Sequence, residues 1–180
     1  TGEISPPMLK NFGCEYVIIG HSDRRRYFGE TNETISKKIE IVLKNNLKPI
    51  VCVGENWEQK VKGINVIADQ LQNCLNGINK SKIENIIICY EPVWAISSNN
   101  QGQLPPETNE IMSAKLIIRK FLFGKYGEKN VQKIKIIYGG SVFPSNVKQV
   151  CVDAGMDGAL VGKESLTPRS FIKIVEIINK

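Results

Sequence analysis

Two side chains of this sequence have the type and placement to move a proton, and both stand where an apolar run stops. Ile86 to Tyr90 is a continuous β-favouring stretch that ends at Glu91, and Pro92 then prevents the strand from continuing as a ladder donor. A carboxylate with apolar neighbours holds its proton more tightly than one in water, which suits it to act as a base near neutral pH. His21, the only histidine of the chain, closes a second apolar run, Glu15–Gly20. Either residue alone reads as structural; a histidine and a glutamate at the same end of a parallel sheet read as an acid/base pair.

Two glycine-rich stretches have the character of an anion cradle. In Gly139-Gly140-Ser141 the glycines allow the backbone to approach a ligand closely, and Ser141 adds a hydroxyl. Gly162-Lys163-Glu164-Ser165 offers N–H groups at a short helical turn, with a cationic side chain beside them. As isolated features these are tight turns, but two of them at successive strand ends favour a phosphate site.

The elements that must position these residues alternate between period-2 and period-3.6 patterns. Strands are predicted at Glu15–Gly20, Lys48–Val53, Asn85–Tyr90, Lys133–Tyr138 and Gly158–Val161. Helices are predicted at 5–11, Thr31–Asn45, Val61–Ile78, 106–125, Ser145–Ala154 and Pro168–Asn179, with Gly13, Gly63 and Gly155 as stops or interruptions. Thr31–Asn45 is amphipathic, with Ile35, Ile39, Val42 and Leu43 on one stripe. Alternating strands and helices imply an α/β fold with a parallel sheet. Five strands fit either a doubly wound sheet or five units of an eight-unit (β/α)8 barrel, which takes about 250 residues when complete.

Composition narrows the function classes. The net charge of +6 comes from dispersed lysines without an aromatic stacking motif, so nucleic acid is not an expected partner. No run of 18 apolar residues or signal peptide is evident, so no membrane role is expected. The five cysteines are odd in number and lack metal-ligand spacing, which predicts free thiols, no metal and a reducing cytoplasm.

Six stretches together resemble the triosephosphate isomerase family, in that family's order from end to end. They are Thr1–Ser5, Gly20-His21-Ser22-Asp23-Arg24-Arg25, Pro49–Glu55, Tyr90-Glu91-Pro92-Val93-Trp94-Ala95-Ile96, Tyr138–Val142 and Gly158–Gly162. The resemblance implies a cofactor-free isomerase of triose phosphates in which Glu91 is the base, His21 polarises the carbonyl and Asp23 supports them. Residues matching Ser97, Gly140, Ser141, Gly162 and Lys163 would hold the phosphate. Thr1–Pro6 and Arg24–Glu30 match segments that build the family's homodimer.

Five departures accompany the resemblance. The family's first-strand lysine has no counterpart, so the sequence predicts the last five units of a TIM barrel, inactive and self-associating when isolated. Asp23 stands for a glutamate, Ser97 and Lys163 each stand for a glycine, and the stretch Ala95–Gln103 is longer than the family's lid loop.

Overall fold

The structure, a computed structural model, describes residues 3–63, 65–96 and 102–179. Four parallel strands form one sheet: β1 (Tyr16–Ile19), β2 (Lys48–Val53), β3 (Ile87–Tyr90) and β4 (Ile136–Tyr138). Their spatial order is β1-β2-β3-β4, the order of the chain. A doubly wound sheet reverses direction at a switch point, whereas a barrel adds each strand beside the last. The observed order does not reverse, and so it selects the partial (β/α) barrel over the flavodoxin-like alternative.

Register divides the sheet into two faces. Ile19, Val51, Ile88 and Ile136 lie in one row and are buried together with Ile35, Ile39, Leu71 and Ile118 from the helices. This outer face is covered by α3 (Asn32–Lys44), α5 (Val66–Cys74) and α6 (Thr108–Tyr126), which stand side by side. The inner face carries Ile18, Ile50 and Ile87 in one row and Cys52, Cys89 and Ile137 in the next. Glu91 shares the parity of Cys89 and so emerges at the mouth of that inner face.

Local sequence explains most element ends. Thr31 and Thr34 form a reciprocal capping box at the start of α3. Two consecutive prolines, Pro105 and Pro106, delay α6 to Thr108, and Glu110 accepts from the Glu107 N–H at 2.8 Å. The predicted helix Val61–Ile78 is instead two: α4 (Trp57–Val61) and α5. Gly63 takes a left-handed conformation, and Asn65 caps the Ala68 N–H to restart the chain as α5.

Three further expectations change. Ser22–Phe28 forms α2, which lacks an apolar repeat and buries only Ser22, so periodicity gave no sign of it. The segment expected as the helix Ser145–Ala154 contains a π-helical turn over Lys148–Asp153. The fifth strand expected at Gly158–Val161 is reduced to a single bridge between Tyr138 and Ala159. Around that bridge the Tyr138 N–H donates to the Gly158 carbonyl at 3.0 Å and the Leu160 N–H to the Tyr138 carbonyl at 2.8 Å, and just before it the Asp157 carboxylate accepts the Ile136 N–H at 2.7 Å. Short α1 (Pro6–Asn11), α7 (Glu128–Val131) and the final helix α8 (Pro168–Ile178) complete the described elements.

Asp157 also pairs with Arg119 at 3.1 Å, tying α6 to the end of the sheet. Asp157→Ala leaves the Ile136 N–H without its acceptor, and a destabilisation of about 1–3 kcal/mol is expected from chemical denaturation. An unchanged midpoint would show that the carboxylate does not hold this strand end.

Candidate active site

Glu91 is positioned by its backbone before its side chain. Its N–H donates to the Val53 carbonyl at 2.8 Å, extending the β2–β3 ladder by one residue past Tyr90. A Cβ on Gly54 would lie 1.8 Å from the Glu91 carbonyl oxygen, so only glycine permits this approach. Pro92 then turns the chain into a 3-10 turn over Val93–Ala95. The result is a carboxylate 2% exposed, on the inner face of the sheet.

Two groups meet that carboxylate. The Ser22 N–H donates to Oε2 at 3.0 Å, and His21 Nε2 lies 3.2 Å from Oε1. The His21 contact is close but off the line of a good hydrogen bond, for Oε1 is a buried atom with no aligned donor among the described residues. Burial raises the Glu91 pKa above the usual carboxylate value, and the nearby His21 and the Ser22 N–H oppose the shift without cancelling it.

The tautomer of His21 follows from its role as the N-cap of α2. The Asp23 N–H donates to Nδ1 at 3.1 Å, so Nδ1 carries a lone pair and the neutral ring bears its proton on Nε2. That proton faces Glu91 and the cavity. The Asp23 carboxylate stands 3.9 Å from Nδ1, and its Oδ1 is buried without a partner among the described residues.

A cavity of about 480 Å³ joins these groups to the glycine-rich loops. His21, Asp23 and Glu91 form one wall, and Gly140, Ser141, Gly162 and Lys163 form the other. The Gly139 N–H donates to the Tyr90 carbonyl at 2.8 Å and the Ser141 N–H to the Ala95 carbonyl at 3.3 Å. These bonds lock the loop after β4 onto the end of the Glu91 strand. The glycine at 140 serves packing: a Cβ there would stand 2.2 Å from the Tyr138 hydroxyl. Ser97 lies outside the described residues. Among the described residues, no group of three or more His, Cys, Asp or Glu side chains is arranged to hold a metal ion.

Three contributors escaped the reading of the sequence. Ser22 acts through its main-chain N–H, which leaves no mark on residue type. Glu55 is a second partly buried carboxylate, accepting from the Tyr90 hydroxyl at 2.9 Å, with its pKa raised by burial. Trp94 packs edge-on against Trp57 at 5.3 Å, with Lys60 3.9 Å above its ring and held at 2.5 Å by Glu110. The spacing of aromatic residues around 57 and 94 was the available signal for that cluster.

Comparison with known proteins gives a consistent result. A sequence model of the family described as Triosephosphate isomerase matches residues 1–178. A protein named triosephosphate isomerase from Dictyoglomus turgidum is 50% identical over 177 residues, covering 97% of this chain and 70% of the relative. The protein of that name from Dictyoglomus thermophilum is 48% identical over 178 residues, covering 98% of this chain and 70% of the relative. One from a Thermoanaerobacter species is 44% identical over 177 residues, with coverages of 97% and 70%.

Glu91→Gln keeps the acceptor for Ser22 and removes the buried charge. A carboxyl whose pKa is higher folded than unfolded contributes stability at acid pH, below its unfolded value, and loses it as pH rises through the folded value. Glu91→Gln should therefore be more stable than the parent at pH 8, by about 2–4 °C in Tm for a change near 1 kcal/mol. The gap should close toward pH 4. A gap that widens toward acid would reverse the assigned sign.

Proposed function

The chain belongs to the triosephosphate isomerase family, and from that membership we propose that it interconverts dihydroxyacetone phosphate and D-glyceraldehyde 3-phosphate in glycolysis and gluconeogenesis, without a cofactor. The observation that carries the reading is the approach of His21 Nε2, fixed in its protonated tautomer, to within 3.2 Å of a buried Glu91 carboxylate. Glu91 takes the proton from the hydroxyl-bearing carbon beside the carbonyl. The electron pair left behind moves to the carbonyl oxygen, where the His21 Nε2–H steadies the enediolate. His21 gives its Nε2 proton to that oxygen and takes back the proton of the adjacent hydroxyl, whose oxygen becomes the new carbonyl as Glu91, now protonated, returns its proton to the neighbouring carbon; the ketose thus becomes the aldose with no net change in protons.

Burial serves this cycle in both directions. It lifts the proton affinity of Glu91 toward that of a carbon acid's partner and strengthens the hydrogen bond of His21 in a water-poor cavity. Ser141 and the N–H groups of Gly162 and Lys163 hold the substrate phosphate at the opposite wall, with Asp23 supporting the His21 turn. This fixes the reacting carbons against Glu91.

The assembly is a cytoplasmic homodimer with an interface on α1, α2 and the residues before them. Support comes from exposed aromatic side chains on these segments, with Phe12 84%, Tyr27 63% and Phe28 68% exposed. Arg24 pairs with Glu30 at 2.5 Å and Glu3 at 3.2 Å, which fastens the N-terminal segment to α2. The free thiols of Cys14, Cys52, Cys74, Cys89 and Cys151 suit a reducing compartment. None of the described helices is long and apolar enough to cross a membrane.

In a barrel completed by its first three units, which restores the first-strand lysine, Glu91→Asp withdraws the base by one methylene. Turnover of triose phosphate should fall about 100-fold while KM stays within a few-fold, a split read directly from steady-state kinetics. Equal kcat values would remove Glu91 from the chemistry. For the interface, Phe28→Asp should shift sedimentation toward the monomer; a sedimentation coefficient equal to the parent's would place the interface elsewhere.

A further inference from the structure

The loop that holds the phosphate carries a negative charge of its own. Glu164 follows Lys163 on the cavity wall, one residue from the backbone N–H groups assigned to the anion. A carboxylate free to turn into that cavity would repel a phosphate dianion and offset the attraction of Lys163. The described geometry shows what prevents this. The Ser170 hydroxyl, in the first turn of α8, donates to Glu164 Oε2.

The start of α8 is suited to receive that carboxylate. Thr167 is the N-cap residue, yet its side chain makes no capping bond, and the first turn contains no acidic residue of its own. Glu164 supplies the missing negative charge there, beside the exposed N–H groups and the positive end of an 11-residue helix. The turn is held from inside as well: the Ser165 N–H and hydroxyl both donate to the Gly162 carbonyl, at 2.9 and 2.7 Å, and the Thr167 N–H donates to the Glu164 carbonyl at 3.2 Å. The Glu164 backbone is thus fixed, and its side chain is directed by Ser170.

We propose that Ser170 is a positioning residue for phosphate binding: it draws the Glu164 carboxylate onto the start of α8 and leaves Lys163 to act on the anion without an opposing charge. The inference rests on the phosphate role assigned to Gly162 and Lys163 above. It predicts that Ser170, which contacts no substrate, governs anion affinity through Glu164 alone.

Inorganic phosphate at pH 8 is the probe, titrated into the chain while the amide shifts of Gly162 and Lys163 are followed by NMR. Ser170→Ala and Ser170→Val should each raise the phosphate Kd about tenfold, the effect of one unit charge reaching within about 6 Å of a dianion in a water-like medium. Ser170→Thr, which keeps the hydroxyl, should stay within about twofold of the parent. In a Glu164→Gln background, Ser170→Ala should change the Kd by less than about twofold. A tenfold loss that persists in the Glu164→Gln background, or no loss in either truncation, overturns the role of Ser170 while leaving the phosphate reading intact. A parent chain whose Gly162 and Lys163 amides ignore phosphate overturns both.

Discussion

A carboxylate held out of water by a strand end is the constraint on which the rest of this structure depends. Glu91 has the Ser22 N–H and His21 Nε2 as polar neighbours, with the Cys52 thiol close by, and little solvent to replace them. An ionised carboxyl in such a place is costly unless its partners are fixed in advance. Ser22 opens α2 and His21 caps it, while Gly54, just past β2, leaves room for the Glu91 backbone. The β1–β2–β3 register therefore serves electrostatics as much as packing. A slip of one residue would turn Glu91 toward the helices and Tyr90 toward the cavity.

The division of labour between the two sheet faces follows from the same register. The outward row of Ile19, Val51, Ile88 and Ile136 is apolar and packed with the helices, which gives the strands a rigid platform. Inward, Cys52 and Cys89 occupy paired positions beneath Glu91, both fully buried, and the contact with Cys89 together with burial and the nearby Glu91 pushes the Cys52 thiol well up. The Cys52 thiol beside Glu91 favours its ionised form, as His21 does, and desolvation outweighs both in setting the proton affinity of Glu91.

Much of this arrangement was legible in the residues themselves. The apolar run ending at Glu91-Pro92 marked both a buried strand and its functional end, and the stripe Ile35, Ile39, Val42 and Leu43 marked α3 and the face it buries. What escaped notice has specific causes. The α2 segment is held by its His21 and Gly29 ends rather than by an apolar stripe, so its helix is invisible to periodicity. The fifth strand was a correct place for chain to run beside β4, but its pairing there is a single bridge between Tyr138 and Ala159. Gly140 lines the cavity, and a side chain at that position would also collide with the Tyr138 ring, a packing role that residue type alone did not reveal. The grip of Ser22 on Glu91 is a backbone contact between residues 69 apart in sequence, and residue type does not encode it.

The unreversed strand order bears on how the chain acquires its shape. Each strand pairs with the one made just before it, with a helical crossover between them, so the sheet grows at one edge only. A ribosome emitting this chain at about 5–20 residues per second would release each βα unit onto a platform already formed. Pairing never has to wait for a distant partner, and the loop-closure cost of each addition stays close to that of the last. The growing edge is unprotected at every stage, as is the outer edge of β1 among the described strands. Synthesis therefore trades a smooth sequence of small entropic steps for a transient, sticky border that a chaperone would recognise as extended apolar strand.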